Sequence, residues 1–393
     1  MKLLFCTEAR FGQTARGKFH SADQSFSYQM FKRYLTVFAD VSVIARCTGI
    51  KDDAVDENTR VDGVGVKVVP MPYYIGPYQY LIKRNELIRK LENCIDTNPD
   101  AAIICRVPGM IGMAAAKYLI RKKRSYGVEV VGDPGDVFAP GSFHHPFRAV
   151  FRQHGVSNLK FVVKGASASI YVTKKILQTR YPHANKTFST YASNVMLPPD
   201  AFVEQAKRLF HDPPYSVVSV GSLAAMYKSP DIAVAALLIL KQKGLPVTLR
   251  WVGDGRYRSE MMALAEKNGI SDRVTFVGNV ASAAEVRHYL DAADLFVLPS
   301  RTEGLPRALV EAMARGLPCV GTDIGGIREL LERKALVPVN NAEILAEKIH
   351  SFLNSSELSN DQAKRNLKEA HSYAFEYLEG KRREFYNYLR DIS

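Results

Sequence analysis

Between positions 300 and 318 the chain reads SRTEGLPRALVEAMARGLP, with two carboxylates, Glu303 and Glu311, set among small and apolar residues. Charged side chains are rarely buried unless a partner meets them. Ser300 to Glu303 matches a capping box, in which the glutamate would merely reach back to the cap amide. A helix starting at Arg301 would then hold Gly304 and Pro306 in its interior, where proline costs about 3 kcal/mol and glycine about 1. A helix starting at Pro306 carries neither cost, and Gly316 followed by Pro318 ends it. The spacing therefore places Glu303 in the loop that enters a helix and Glu311 inside that helix. Two acceptors flanking a helix N-terminus suit a ligand with several hydroxyls and a phosphate: the helix mouth attracts the phosphate and the carboxylates accept from hydroxyls. The competing reading for Glu311 is a buried carboxylate paired with an arginine elsewhere.

The elements that must hold these residues alternate regularly. In the second half, strands are predicted at 216–220, 247–252, 273–277, 295–298, 319–322 and 335–337, with helices starting near Pro230, Tyr257, Ala283, Pro306, Ile327 and Asn341. Short apolar strands alternating with longer helices imply a parallel sheet covered on both faces. The first half repeats the grammar, with strands at 3–7, 41–45, 64–69, 101–105, 129–131 and 169–172. The proline-containing stretch from Asn194 to Asp200 reads as a linker. The fold class is therefore α/β, with two doubly wound parallel-sheet domains in tandem, 1–195 and 196–370. Residues 371–393 form an aromatic-rich helix that is expected to cross back to the first domain. Ligands of such sheets bind at the carboxyl ends of the strands, which puts the expected site in a cleft between facing domains.

A chain of 393 residues with 47% hydrophobic composition suits two globular domains. No apolar run approaches the roughly 20 residues of a membrane span. The opening MKLLFCTEAR is too quickly polar for a secretory signal. The five cysteines lack metal-like spacing and read as reduced thiols of a cytoplasmic protein. Net charge is +13, and residues 1–195 account for all of it, with 28 Lys and Arg against 15 Asp and Glu. That asymmetry suits an anionic partner of the first half, or simply a solubilising surface.

The block EGLPRALVEAMARGLPCVGTDIGG, with Glu303 and Glu311 in an E-x7-E arrangement, resembles the retaining nucleotide-sugar glycosyltransferases of the two-domain GT-B fold (the family 4-like, group 1 members). VGSLAAMYKSPD, WVGDGRYRSEM, VTFVGNV and ADLFVLPS resemble the same family in the same order, from about Val217 to about Leu331. The resemblance implies two Rossmann-like domains facing each other across a cleft. It implies that Glu311 accepts from the ribose hydroxyls and Glu303 holds hydroxyls of the donor sugar. Gly304 and Leu305 would face the sugar and diphosphate, and Lys228 would bind the diphosphate and assist its departure. Gly221, Ser222, Gly253, Gly278, Val280 and Arg307 would complete the donor site. In the first domain, the loop with Gly12, Arg16 and Gly17 would approach the diphosphate and acceptor, although two glycines after a strand more often mark a turn.

Two departures from the family pattern stand out. Ser222 occupies a place where members commonly carry arginine, so Arg307 or Arg256 is the candidate substitute. VVGDPGD, with Asp133 and Asp136, stands where many members have a histidine, which makes Asp133 a candidate catalytic residue. No Asp-x-Asp triplet occurs, so no metal or other cofactor is implied; Lys228 and a helix N-terminus would supply the positive charge. The expected activity is hexosyl transfer, with retention, from a UDP- or GDP-sugar to a glycan or lipid-linked acceptor in cell-envelope polysaccharide, lipopolysaccharide or glycolipid synthesis. A sugar-nucleotide epimerase or phosphorylase of the same fold is the alternative. A basic nucleic-acid-binding module is disfavoured by the glutamate block, so no nucleic-acid partner is expected.

Tyr73, Tyr74, Tyr78 and Tyr80 precede Lys83, Arg84, Arg89 and Lys90, with Leu81, Ile82, Leu87, Ile88 and Leu91 between them. Aromatics beside a basic amphipathic helix suit an anionic membrane interface, and Arg121-Lys122-Lys123-Arg124 adds charge. This predicts a peripheral protein at the inner face of the cytoplasmic membrane. A core-packing helix with a charged outer side fits the same pattern.

Overall fold

The computed structural model describes residues 1–21, 26–52, 55–137, 148–209 and 212–393. They divide into two units: Met1–Ala192 with Glu379–Ser393, and Ser193–Leu378.

The first unit holds, in chain order, strands β1 (Lys2–Gln13), β2 (Phe19–Ser21), β3 (Asp40–Gly49), β4 (Val66–Met71), β5 (Ala102–Val107), β6 (Gly127–Val130), β7 (Ala168–Tyr171) and β8 (Phe188–Tyr191). Its helices are α1 (Tyr28–Lys32), α2 (Gly76–Asp96), α3 (Met110–Lys122), α4 (Pro134–Val137), α5 (Arg148–Gly165) and α6 (Ile176–Arg180). The strand order is β4-β3-β1-β5-β6-β7-β8, with all these pairs parallel and β2 added antiparallel to β1. The order reverses between β1 and β5, the switch point of a doubly wound sheet. β1 is longer than the predicted 3–7. Its register with β3 jumps between Cys6 and Arg10, a bulge after which pairing resumes to Gln13. A bulge bends the strand without ending it, which is why an apolar-run reading stopped too early.

The second unit contains β9 (Tyr215–Val220), β10 (Val247–Val252), β11 (Val274–Gly278), β12 (Leu295–Leu298), β13 (Cys319–Thr322) and β14 (Leu336–Val337). Between and after them come α7 (Pro230–Gln242), α8 (Arg258–Lys267), α9 (Ala283–Asp291), α10 (Arg307–Ala314), α11 (Ile327–Leu330), α12 (Ala342–Leu353) and α13 (Ser356–Ala370). The parallel sheet runs β11-β10-β9-β12-β13-β14, so its order reverses between β9 and β12. The strands are apolar on both faces because helices cover both; Trp251, Phe296, Leu309 and Val310 are all essentially buried in this core.

The stretch read as a linker belongs to the second unit. Leu197 and Phe375 exchange backbone bonds with neighbours there, Leu197 N–H to Tyr373 O and Phe375 N–H to Leu197 O, both 2.9 Å. The last helix, α14 (Phe375–Asp391), begins in the second unit and ends in the first. Its Tyr386 ring lies 4.8 Å from Tyr34 and its Tyr388 stacks on Phe188 at 4.9 Å, while Phe385 and Leu389 are fully buried. Phe385→Ala is expected to cost the first unit about 3–5 kcal/mol. Hydrogen exchange should then quicken at β1, β5 and β6 and stay unchanged at β9 and β10; uniform protection in the variant would show that the helix contributes little.

Candidate functional site

The switch point of the second sheet is where the loops after β9 and β12 part, and both loops carry residues singled out from the sequence. After β9 the chain makes a tight path through Gly221 to Ala224. Gly221 N–H bonds Val252 O at 2.9 Å, the Trp251 indole donates to Gly221 O at 2.8 Å, and Leu223 N–H bonds Asp254 O at 2.8 Å. Gly253, at φ +136°, lies so close that a Cβ there would stand 2.2 Å from Gly221 O. Only glycine fits such an approach. Gly278 sits beside it, receiving the Gly253 N–H on its carbonyl at 2.9 Å, and Val280 packs against the core edge. Ser222 spends its hydroxyl on backbone, accepting from Ala224 N–H in its own loop at 3.1 Å and donating to Asp254 O in the loop after β10 at 3.3 Å.

The β9 loop ends in a single turn, Met226–Lys228, followed by Ser229 in a left-handed conformation and then Pro230 as the first residue of α7. This geometry turns Lys228 inward. Its ammonium sits 2.5 Å from Glu303 Oε1 and 5.2 Å from the Tyr227 ring centre, and the Lys228 and Glu303 side chains are only 11% and 8% exposed. The Ser300 hydroxyl donates to the same Glu303 oxygen at 2.7 Å. Ser300 is therefore a partner of the carboxylate and not a helix cap: α10 starts at Arg307, with Pro306 as its N-cap residue. The helix ends at Ala314, and Gly316 N–H closes on Met313 O at 3.0 Å.

The loop bearing Glu303 is pinned from behind by Gly325 and Gly326. A Cβ on Gly325 would stand 1.9 Å from Glu303 O, and Gly326 N–H bonds Gly304 O at 2.7 Å. Arg301, which sequence reasoning passed over, ties the two loops together. Its backbone N–H bonds Tyr227 O at 2.7 Å, and its guanidinium grips Asp231 in the first turn of α7 at 2.6 and 3.0 Å. Adjacent loops after neighbouring central strands need such a stitch, but the topology had to be known before Arg301 could be read as one.

Glu311 is on α10 as predicted, 19% exposed, and accepts from Arg307 Nε one turn earlier at 2.8 Å. Arg307 is 61% exposed. This is a weak helix-surface pair in the less favourable order, not the deep ion pair of the competing reading. Gly304 is exposed and Leu305 rests on the core.

The first-unit residues are placed differently from expectation. Gly12 lies within β1, opposite Thr48 and His20, because the strand continues past its bulge. Thr14 to Lys18 is the turn of the β1–β2 hairpin, closed by Thr14 N–H to Lys18 O at 2.9 Å, with Gly17 inside it. Arg16 is exposed at this tip, 3.5 Å from Asp52. No loop following a short first strand is formed there. Asp133 is buried, and its two oxygens are occupied by the Tyr181 hydroxyl, the Arg180 guanidinium and Gly135 N–H. Burial, then the bond to Asp133, raises the Tyr181 phenol above its ordinary range. The Asp136 side chain lies outside the described residues.

Tyr73 and Tyr74 precede α2, whereas Tyr78 and Tyr80 lie in its first turns; Tyr74 is buried, with its hydroxyl on Glu8 at 2.5 Å, and of the four only Tyr78 is strongly exposed. The helix divides along its length: Leu87, Leu91 and Ile95 enter the core, whereas Ile75, Tyr78, Leu81 and Ile82 at its start face outward. Arg124 does not add surface charge as expected; it donates to Ile95 O, Asn98 O and Ala101 O around the end of α2.

Comparison with known proteins agrees with this architecture. Residues 201–369 match the sequence model of the family described as Glycosyl transferases group 1. Protein CapJ of Staphylococcus aureus is 26% identical over 370 residues, spanning 94% of this chain and 91% of its own. The amylovoran biosynthesis glycosyltransferase AmsK of Erwinia amylovora is 35% identical over 157 residues, 38% of each chain. Among solved structures, sucrose-phosphate synthase from Thermosynechococcus elongatus superposes with a TM-score of 0.65 at 15% identity, covering 100% of both chains. Anabaena HepE in complex with UDP gives 0.61 at 18% identity, covering 98% of this chain and 99% of that one. Residues 201–369 thus carry the sequence pattern of the group 1 glycosyl transferases, and the two parallel-sheet units have the two-domain GT-B fold of these solved structures.

Proposed function

We propose that this glycosyltransferase moves a hexose, with retention of configuration and without a metal, from a UDP- or GDP-sugar to a glycan or lipid-linked acceptor in envelope polysaccharide synthesis. The observation that carries the reading is the Lys228–Glu303 pair at the switch point of the second sheet, where a doubly wound fold takes its ligand. The name of the amylovoran biosynthesis glycosyltransferase and the UDP bound to HepE support the polysaccharide context and the donor class.

In this mechanism the diphosphate leaves toward Lys228 and the start of α7, whose ammonium and oriented N–H groups offset the developing charge. Glu303 accepts from donor-sugar hydroxyls and Glu311 from ribose hydroxyls once Arg307 yields, freeing that guanidinium for the phosphates. The bond from the sugar's anomeric carbon to the diphosphate oxygen breaks as the bond to the acceptor oxygen forms on the same face. The departing phosphate oxygen takes the acceptor's hydroxyl proton. Asp133, saturated by three donors, holds its turn in place. Ser222, held by its own loop, leaves the second cation's role to Arg307. The outward face of α2, with Ile75, Tyr78, Leu81 and Ile82 beside exposed Lys83 and Arg84, docks on an anionic bilayer. Among the described residues no helix is long and apolar enough to cross a membrane.

Five outcomes follow from this assignment. In a thermal-shift screen of UDP-, GDP-, ADP- and TDP-sugars, a UDP- or GDP-sugar should raise the melting temperature. Glu311→Ala should weaken that nucleotide about tenfold. Glu303→Gln should spare nucleotide binding and lower kcat by about a hundredfold; equal, negligible effects would refute the division of roles. Removing either partner of the buried pair, by Lys228→Met or Glu303→Leu, should cost about 3–5 kcal/mol, and the double change should cost less than the worse single one. Urea unfolding followed by the single tryptophan, Trp251, reads this directly. The chain should float with anionic vesicles at low salt, and Leu81→Ser with Ile82→Ser should abolish flotation; an unaffected double variant would remove α2 from the interface.

A further inference from the structure

The first sheet has its own switch point, between β1 and β5, and a cavity of about 290 Å³ opens there. Its walls come from the bulged end of β1 (Glu8 and Arg10), the end of β3 (Arg46), the end of β5 (Arg106), Phe26, and Gly109 before α3. None of these residues belongs to the donor-site assignment above. Three arginines line this one small cavity, so the compensation of each guanidinium matters.

Two of the three are compensated. Arg106 pairs with the buried Glu129 at 2.9 Å, and Glu129 also accepts from the Tyr34 hydroxyl at 2.7 Å. Arg46 lies 3.4 Å from Glu8, donates to the carbonyls of Glu8 and Tyr74, and stacks 4.5 Å over the Tyr74 ring. Glu8 in turn accepts from Tyr74 and from Ile111 N–H at the start of α3, so the helix mouth is already filled. Arg106 rests 5.4 Å from the Phe26 ring centre. These contacts fix the two guanidinium planes.

Arg10 is the third; it is exposed, and among the described residues it has no such partner. It stands in register with Arg46 on the neighbouring strand, and its guanidinium makes no ion pair or hydrogen bond with a described residue. Like charges side by side on a sheet destabilise it unless something answers them. The bulge between Cys6 and Arg10 re-aims this part of β1, a device that recurs beside binding sites. An exposed guanidinium with no partner among the described residues, beside two fixed ones at a switch-point cavity, suits an oxyanion gripped in forks. The cavity's volume, at the small end of ligand pockets of about 300–1,000 Å³, admits one sugar ring.

We propose that this cavity seats an anionic sugar unit of the acceptor, one carrying a carboxylate or a phosphate, with Arg10 as its charge-specific contact and Arg46 and Arg106 as the fixed walls. That the anion belongs to an acceptor rests on the glycosyltransferase reading; that the cavity binds an anion does not. The test titrates full-length isotope-labelled protein with glucuronate, glucose 1-phosphate and neutral glucose, following backbone amide shifts of β1, β3 and β5 at millimolar ligand. One or both anions should bind, the better one revealing whether carboxylate or phosphate is preferred, and glucose should bind at least about tenfold more weakly. Arg10→Gln should weaken the anion about tenfold, Arg10→Lys should restore part of the loss, and added salt should weaken the wild type. Glucose binding as well as the anions, an unaffected Arg10→Gln variant, or no anion-dependent shift at these residues would each overturn the proposal. UDP titrated into the same samples reports the second unit separately, so a failed donor assignment is distinguishable from a failed anion site.

Discussion

The buried contact between Lys228 and Glu303 sets conditions that the rest of the second unit has to meet. An ammonium and a carboxylate removed from water lose several kcal/mol of hydration each, and only close geometry with further hydrogen bonds recovers it. The chain provides that geometry with a one-turn helix and a left-handed Ser229 on one side, and with Ser300 on the other. Neither loop would hold its position alone, because each leaves a central strand with no ladder to follow. Arg301 joins them, and the glycine pair at 325–326 lets a third loop back them at backbone contact distance. The surrounding strands and helices are regular so that these few irregular residues can be exact neighbours.

The two sheets share a topology and differ in what they place at the switch point. The second offers one cation and one anion in mutual contact, a neutral arrangement that a ligand with both hydroxyls and phosphates can divide between its parts. The first offers three cations against two carboxylates. The excess of positive charge in residues 1–195, read from composition as a diffuse property of a surface, thus includes a concentrated element inside the sheet's crevice.

Much of this was legible in the sequence, for reasons that are physical. The second-unit strands, and the starts of its helices up to α12, came out within a residue or two because buried parallel strands are short, apolar and bounded by glycine or proline. The position of Glu303 outside α10 followed from the cost of interior proline alone. What was missed depended on contacts distant in sequence. Arg301 and Asp231 lie seventy residues apart and face each other only because β9 and β12 are neighbours. The hairpin at Thr14–Lys18 was hidden by a bulge that interrupts the alternation of β1 without breaking the strand. Asp133 looked available until Arg180 and Tyr181 were found on it. Arg121 to Arg124 read as a charge run, yet one member spends its donors on carbonyls at a helix end.

The path of α14 has a bearing on how the molecule comes into being. The second unit is one unbroken stretch of chain, whereas the first is interrupted by it and regains fifteen residues, Glu379–Ser393, only after it. Domains fold as units during synthesis, usually in the order in which they emerge. Here the unit that emerges first cannot finish first, because Phe385, Tyr386 and Leu389 of its core emerge only after the second unit has been made. Until they arrive, the rings of Tyr34 and Phe38 wait beside an open slot. Completion of the first unit is thereby tied to synthesis of the whole second unit, and a first unit made without α14 is marked by an unsealed core.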